Sequence, residues 1–122
     1  VINQSPLRLK HAIMYSMFQT KWALVDYLEK HHYDAFFNTS LEKFLEKNKI
    51  DTLVLGGVMT HLCCETTARS AFMRGYKVYF LINGTATYHR DFHRASLLNL
   101  SHGFAIPLLI EEALSWLETA KE

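Results

Sequence analysis

Two cysteines, one lysine and a set of histidines are the side chains of this 122-residue sequence best suited to covalent or acid–base chemistry. Cys63 and Cys64 are adjacent and follow the stretch Gly56-Gly57-Val58-Met59-Thr60-His61-Leu62. Vicinal cysteines seldom form a structural disulfide, because the bridge is strained. They are read as free thiols in a reducing, cytoplasmic setting. The glycine pair leads into a helical stretch over residues 61–74, which puts Cys63 in the first turn. Backbone N–H groups there lack intrahelical partners, and the helix dipole favours an anion. A nearby ammonium would add to both effects and draw a thiol towards its nucleophilic thiolate form. The same N–H groups suit the oxyanion formed when a carbonyl is attacked. Cys64 lies about 100° further round the helix, so only one thiol faces a given pocket. Position alone leaves a second reading open, in which one thiol is buried and the other is a spectator.

For Cys63 to meet a lysine, distant segments must converge on one edge of a sheet. Residues 22–28 (WALVDYL) read as a strand. Residues 52–55 form a continuous apolar run suited to a strand covered on both faces, broken by Gly56-Gly57. Residues 76–82 (YKVYFLI) form the next strand, turned by Asn83-Gly84. Residues 104–110 form a last strand, and Pro107, which cannot donate to a ladder, puts it at a sheet edge. Helices alternate with these strands. Thr39-x-x-Glu42 is a capping box opening a helix with Leu41, Phe44 and Leu45 in one stripe. The helix over 61–74 stops at Gly75, a left-handed cap. Phe92, Ala95, Leu98 and Leu100 keep helical spacing up to Gly103, and residues 111–121 form a closing amphipathic helix with Leu114 and Leu117 inward. Ahead of all of these, Ser5-Pro6 looks like a helix start, with Ile13, Met14, Met17 and Phe18 at helical spacing.

Alternation of this kind predicts an α/β fold: a three-layer (αβα), Rossmann-like arrangement with a mostly parallel sheet. Ligands of such sheets bind beyond the carboxyl ends of the strands. That rule selects Lys30 after the first strand, residues 57–63 after the second and Asn83 after the third.

Composition bounds the partners. Thirteen Lys or Arg against twelve Asp or Glu leave a net charge of +1, which argues against nucleic acid as the main partner. The apolar runs at 52–59 and 104–110 fall well short of the roughly 18 residues of a membrane span. The opening VINQSPLRLK has no apolar signal-peptide core, and its first residue is Val rather than Met. With 49% hydrophobic and 20% charged residues, residues 1–122 are expected to form one globular domain.

The stretch IDTLVLGGVMTHLCCETTARSAFMRGYKV resembles the isochorismatase-like cysteine hydrolases, which include nicotinamidases and ureidoacrylate hydrolases. The motif residues are Gly57, Val58, Met59, Thr60, Cys63, Thr67 and Ala68. Upstream, Lys30-His31-His32-Tyr33-Asp34-Ala35-Phe36 resembles the family's Lys-x-x-Tyr-x-Ala-Phe block. Downstream, ATYHRDFHRASLLNLSHGFA resembles its helix and last strand, so that the likeness spans about 22–112. The resemblance implies the isochorismatase-like hydrolase fold and a Cys-Lys-Asp triad, with Cys63 as nucleophile and Lys30 as the lysine. It implies a cis peptide between Val58 and Met59, an oxyanion hole of the Met59 and Cys63 N–H groups, and a substrate pocket including Tyr33, Phe36, Thr60 and His61. It implies no cofactor, and no metal ligand carries over. The family's N-terminal strand ending in the catalytic Asp has no counterpart here. Asp26 and Asp34 both lie in the wrong context, so the domain is expected to be incomplete at its N-terminus.

The remaining candidates have plainer readings. His89 and His93 have a metal-compatible spacing but no third ligand, and are taken as a solvated helix face. His31-His32 is read as a pocket rim, and Glu65 as facing outward. Trp116 and the final helix are assigned to packing or subunit contact, in keeping with a homo-oligomer. The expected activity is hydrolysis of a small amide-type C–N bond through a thioester, with a small molecule as the only substrate class implied. Two alternatives stand beside it: isochorismatase-type vinyl ether hydrolysis, and a non-catalytic α/β subunit that binds partners.

Overall fold

The structure, a computed structural model, describes residues 7–8, 12–15 and 28–119, with residues 7–8, 12–15 and Leu117 described in their backbone only. In chain order the elements are β1 (Leu7–Arg8), β2 (Ala12–Tyr15), β3 (Glu29–Lys30), α1 (Leu41–Lys47) and β4 (Thr52–Val58). A π-helical turn, Thr60–Cys64, then runs directly into α2 (Glu65–Met73). β5 (Lys77–Ala86), α3 (Arg90–Gly103), β6 (Ile106–Leu108) and α4 (Ile110–Thr119) complete the chain.

β4 and β5 divide their side chains between two cores, because successive residues of a strand point to opposite faces. Leu53, Leu55, Val78 and Phe80 face one side and pack with Leu41 and Leu45 of α1, Ala68 and Ala71 of α2, and Leu100 of α3. Val54 and Leu81 face the other side and meet Ala113 of α4, with Tyr79 and Trp116 against them. This arrangement gives the three layers expected from the sequence. The sheet order is β2-β4-β5-β6, and both the β4–β5 and β5–β6 pairs are parallel. β6, which carries Pro107, is an edge strand, as a missing ladder donor requires. β1 pairs antiparallel with β3, Leu7 opposite Lys30.

Several local expectations are corrected. The helical spacing read through Ile13 and Met14 fails there: Ala12–Tyr15 is a strand, antiparallel to β4 with Ile13 opposite Val54. The strand expected at 22–28 lies outside the described residues except for Leu28, which is buried. The Thr39-x-x-Glu42 capping box does not form. Thr39 Oγ1 donates to the Ala35 carbonyl (2.5 Å) and accepts from Leu41 N (3.3 Å), while Glu42 pairs with Arg74. Neither Gly56-Gly57 nor Asn83-Gly84 ends its strand. β4 continues to Val58 and β5 to Ala86, with a register shift between Leu55 and Gly57. Along that shift β5 uses the residues from Phe80 to Thr85 where β4 uses only those from Leu55 to Gly57. Gly56 and Gly84 approach closely at this point: a Cβ on Gly56 would lie 3.0 Å from the Gly84 carbonyl oxygen. Gly75, in contrast, caps α2 as expected, with φ +92° and Tyr76 N donating to the Ala71 carbonyl (3.0 Å).

Candidate active site

At the carboxyl end of β4 the Val58–Met59 peptide is cis. Met59 then starts the π-helical turn, and its carbonyl accepts from both Leu62 N and Cys64 N, each at 3.2 Å. Cys63 therefore sits in a widened turn of backbone rather than in the first turn of an α-helix. Both thiols are free, Cys63 half-buried and Cys64 buried. Burial above all, and the neighbouring Cys63 next, push the Cys64 thiol up to about 12. The Lys30 ammonium pulls that value the other way, so Lys30 lies within electrostatic reach of Cys64.

Lys30 ends β3 with only 2% of its surface exposed, and its Nζ has no hydrogen-bond partner among the described residues. The segment that follows is fastened to α2. Thr67 Oγ1 accepts from Ala35 N (3.0 Å) and donates to the Tyr33 carbonyl (3.2 Å). Ser70 donates to Asp34 Oδ2 (2.8 Å), and Asp34 Oδ1 accepts from Phe36 N (2.8 Å). Asp34 thus spends one carboxylate oxygen on the backbone of its own segment and the other on the Ser70 hydroxyl of α2. Ala68, at 0% exposure, lets α2 lie close against the core. These bonds give the motif residues Thr67 and Ala68 a physical role: they set the segment that carries Lys30 against the helix that carries the cysteines.

Thr60 is fully buried, and its hydroxyl meets His93 Nδ1 at 2.8 Å. The Nδ1 of His61 meets Thr87 Oγ1 at 3.0 Å, and Thr87 also contacts Met59 Sδ at 3.2 Å. The His61 ring stacks on Phe92, with centroids 4.4 Å apart, and meets Tyr88 edge-on. Tyr33, Thr60 and His61 are thus tied by backbone or side chain to the elements around Cys63. Phe36 is not brought to them. Its ring is buried against Tyr76, at the amino end of β5, with the Arg74 guanidinium 5.0 Å from its centroid.

Thr87 and Tyr88 carry no spacing signal in the sequence and Phe92 carries only a helical one, so that none of the three is legible as a neighbour of His61, which they reach through the β5–α3 connection. His93 was read as solvated, and the structure corrects this: it is half-buried and bonded on both ring nitrogens, to Thr60 and to the Ile82 carbonyl (3.0 Å). His89 caps α3 instead, Nδ1 accepting from Asp91 N (3.1 Å). Asn83, placed by the sheet rule at the ligand edge, ties β5 to α4: Oδ1 accepts from Ile110 N (2.8 Å) and Nδ2 donates to Glu111. Glu65 pairs with Arg69 at 3.4 Å, one helical turn on. His31 and His32 are exposed. Among the described residues no three His, Cys, Asp or Glu side chains converge as a metal-sized group, and no helix is long and apolar enough to cross a membrane.

Comparisons with known proteins cover the segment that holds these residues. The isochorismatase domain matches residues 19–112. Over 78 residues the chain is 49% identical to nicotinamidase 3 of Arabidopsis thaliana, covering 64% of this chain and 39% of that protein. Over 87 residues it is 34% identical to enterobactin synthase component B of Escherichia coli K12, covering 71% of this chain and 30% of that protein. A cysteine hydrolase from Pseudomonas syringae pv. phaseolicola superposes with a TM-score of 0.73 at 31% identity, over 76% of this chain and 49% of that one. The chain thus spans well under half the length of these curated relatives. With the match covering most of the chain, and with its α/β layers repeated in the solved relative, this chain belongs to the isochorismatase family.

Proposed function

We propose that Cys63 is the nucleophile of a hydrolase that cleaves a small amide-type C–N bond. The observation that carries this reading is Lys30: a buried ammonium, unpaired among the described residues, within electrostatic reach of Cys64, the neighbour of Cys63 in the chain. Burying an unpaired ammonium is costly, so such a group is retained where an anion will meet it. A Cys63 thiolate is one such anion, and a carboxylate contributed from outside this sequence is a second. In this reading the carboxylate takes the Cys63 thiol proton, the thiolate attacks the carbonyl carbon, and the Met59 and Cys63 N–H groups hold the oxyanion. The C–N bond then breaks as the carboxylic acid gives its proton to the leaving amine. Water, deprotonated by the resulting carboxylate, attacks the thioester, releases the product carboxylic acid and regenerates the Cys63 thiolate. The likeness to a plant nicotinamidase supports an amide on a small planar ring, and the aromatic shelf of His61, Phe92 and Tyr88 would suit it. Two free thiols fit a cytoplasmic setting. A small-molecule substrate and a second copy of the chain, rather than nucleic acid, are the partners of this reading.

The similarity to enterobactin synthase component B favours a second reading, vinyl ether hydrolysis of the isochorismatase type. The test is release of ammonia from nicotinamide and other small primary amides by the wild type, Cys63→Ala and Cys64→Ala. Cys63→Ala is expected to lose at least about a thousandfold in kcat, the order seen for a lost nucleophile, while Cys64→Ala keeps most activity. Equal losses from both changes overturn the assignment. Isochorismate hydrolysis that survives in Cys63→Ala selects the second reading.

A further inference from the structure

Thr60 opens the π-helical turn that carries Cys63, directly after the cis Val58–Met59 peptide. Its hydroxyl is fully buried, so it must find its partner inside the protein, and that partner is Nδ1 of His93, 33 residues downstream on α3. The other ring nitrogen of His93 lies 3.0 Å from the Ile82 carbonyl. A carbonyl oxygen only accepts, so Nε2 carries a hydrogen. In the neutral ring Nδ1 is then a bare acceptor, and the Thr60 hydroxyl is the donor. The result is a directed relay, Thr60 Oγ–H to Nδ1 and Nε2–H to Ile82 O.

The relay depends on the register shift in β5. Ile82 lies between Leu81, the last β5 residue paired with β6, and Thr85, where pairing with β4 resumes. Its carbonyl is therefore available to a side chain arriving from α3. One imidazole thus joins three elements that share no local sequence: the turn holding Cys63, the irregular stretch of β5, and α3.

We propose that His93 is a positioning residue, a neutral imidazole in the Nε2–H form that anchors Thr60 and thereby fixes where Cys63 stands relative to the backbone N–H groups and Lys30. The proposal rests on the reading of Cys63 as the nucleophile, and its test does not require turnover. In the 122-residue chain labelled with 15N-histidine, two-bond 1H–15N correlations report the His93 tautomer. The rate of Cys63 alkylation by iodoacetamide, followed by mass spectrometry, reports the placement of the thiol. The expected tautomer is Nε2–H. Thr60→Val and His93→Phe are each expected to slow alkylation by about three- to tenfold, the scale of one lost internal hydrogen bond. The Thr60→Val/His93→Phe double variant should be no slower than His93→Phe alone, because both changes remove the same link. Thr60→Ser, which keeps the hydroxyl, should fall between wild type and Thr60→Val. An Nδ1–H tautomer, losses that multiply in the double variant, or alkylation as fast as wild type in His93→Phe would each overturn the proposal. Coupling between Thr60 and His93 that persists while Cys63→Ala still hydrolyses amides would leave the relay standing and remove the nucleophile assignment.

Discussion

At the amino ends of β4 and β5, short turns join helix to strand, with Lys49 and Gly75 at positive φ, while at their carboxyl ends the same strands meet a cis peptide, a π-helical turn and a broken register. The amino end is closed by Gly75 in a left-handed conformation, with Thr52 paired to Lys77 and Arg74 engaged by Glu42 and Ser70. Arg74 and Glu42 there pair with each other. At the carboxyl end a buried ammonium has no hydrogen-bond partner among the described residues, and one of two adjacent thiols is left half-buried. Local rules that agree make a stable element; where they disagree, the chain is holding groups in place for another purpose. The two cysteines show the difference at its smallest scale, since one residue along the turn separates a half-buried thiol from one whose burial holds it protonated.

The largest expected effect tests that last contrast. The Cys64 thiol titrates at about 12 in the folded chain against 9.0 for a free thiol, chiefly because it is buried. The folded state therefore holds this proton more tightly than the unfolded state. The resulting stability is intact below about pH 9 and is lost as pH rises towards 12, by at most about 1.4 kcal/mol per pH unit. Urea midpoints followed from pH 8.5 to about 11 should fall more steeply for the wild type than for Cys64→Ala. Parallel curves would show that Cys64 is not held apart from its neighbour by burial.

A smaller effect is expected from Gly84→Ala. A Cβ there would lie 2.7 Å from both Cβ and Cδ1 of Leu81, and the first of these cannot swing away. Such overpacking costs about 1–3 kcal/mol. Chemical denaturation should show that loss. Undiminished stability would mean that the irregular stretch of β5 yields freely and does not hold Ile82 in place for His93.

Much of the amino end was legible from the sequence, because its signals are local. The apolar run Leu53-Val54-Leu55, the alternation through Val78 and Phe80, and Gly75 each report on neighbours a few residues away. The carboxyl end was legible only through its motif, because its determinants are distant pairings. Thr60 meets His93 across 33 residues, and Thr67 meets Ala35 across 32. Helical spacing could show that His89 and His93 share a face; it could not show that a fully buried hydroxyl waits beside one of them. The Thr39-x-x-Glu42 pattern failed for the same reason, since Arg74 supplies Glu42 with a charged partner no local rule includes. β2 was misread because its apolar residues suit either period, and only the edge of β4 decides between them.

The smallest effect returns to the amino end with the same substitution and the opposite sign. Gly103 is the last residue of α3, its φ is not in the left-handed region, and a Cβ there would meet nothing within 4 Å. Alanine can take this backbone conformation without strain, and it restricts the unfolded chain more than glycine does. Gly103→Ala should therefore raise the denaturation midpoint, by a gain of about 0.4–1 kcal/mol. Gly84→Ala adds the same atom near the other end of the sheet and should lower it. If both variants lose stability, glycine at the end of α3 is required for a reason the open space around it does not supply, and the amino end is less permissive than that space implies. If both gain, the close approach of Leu81 to Gly84 is soft, and the contrast between the two ends rests on the cysteines and Lys30 alone.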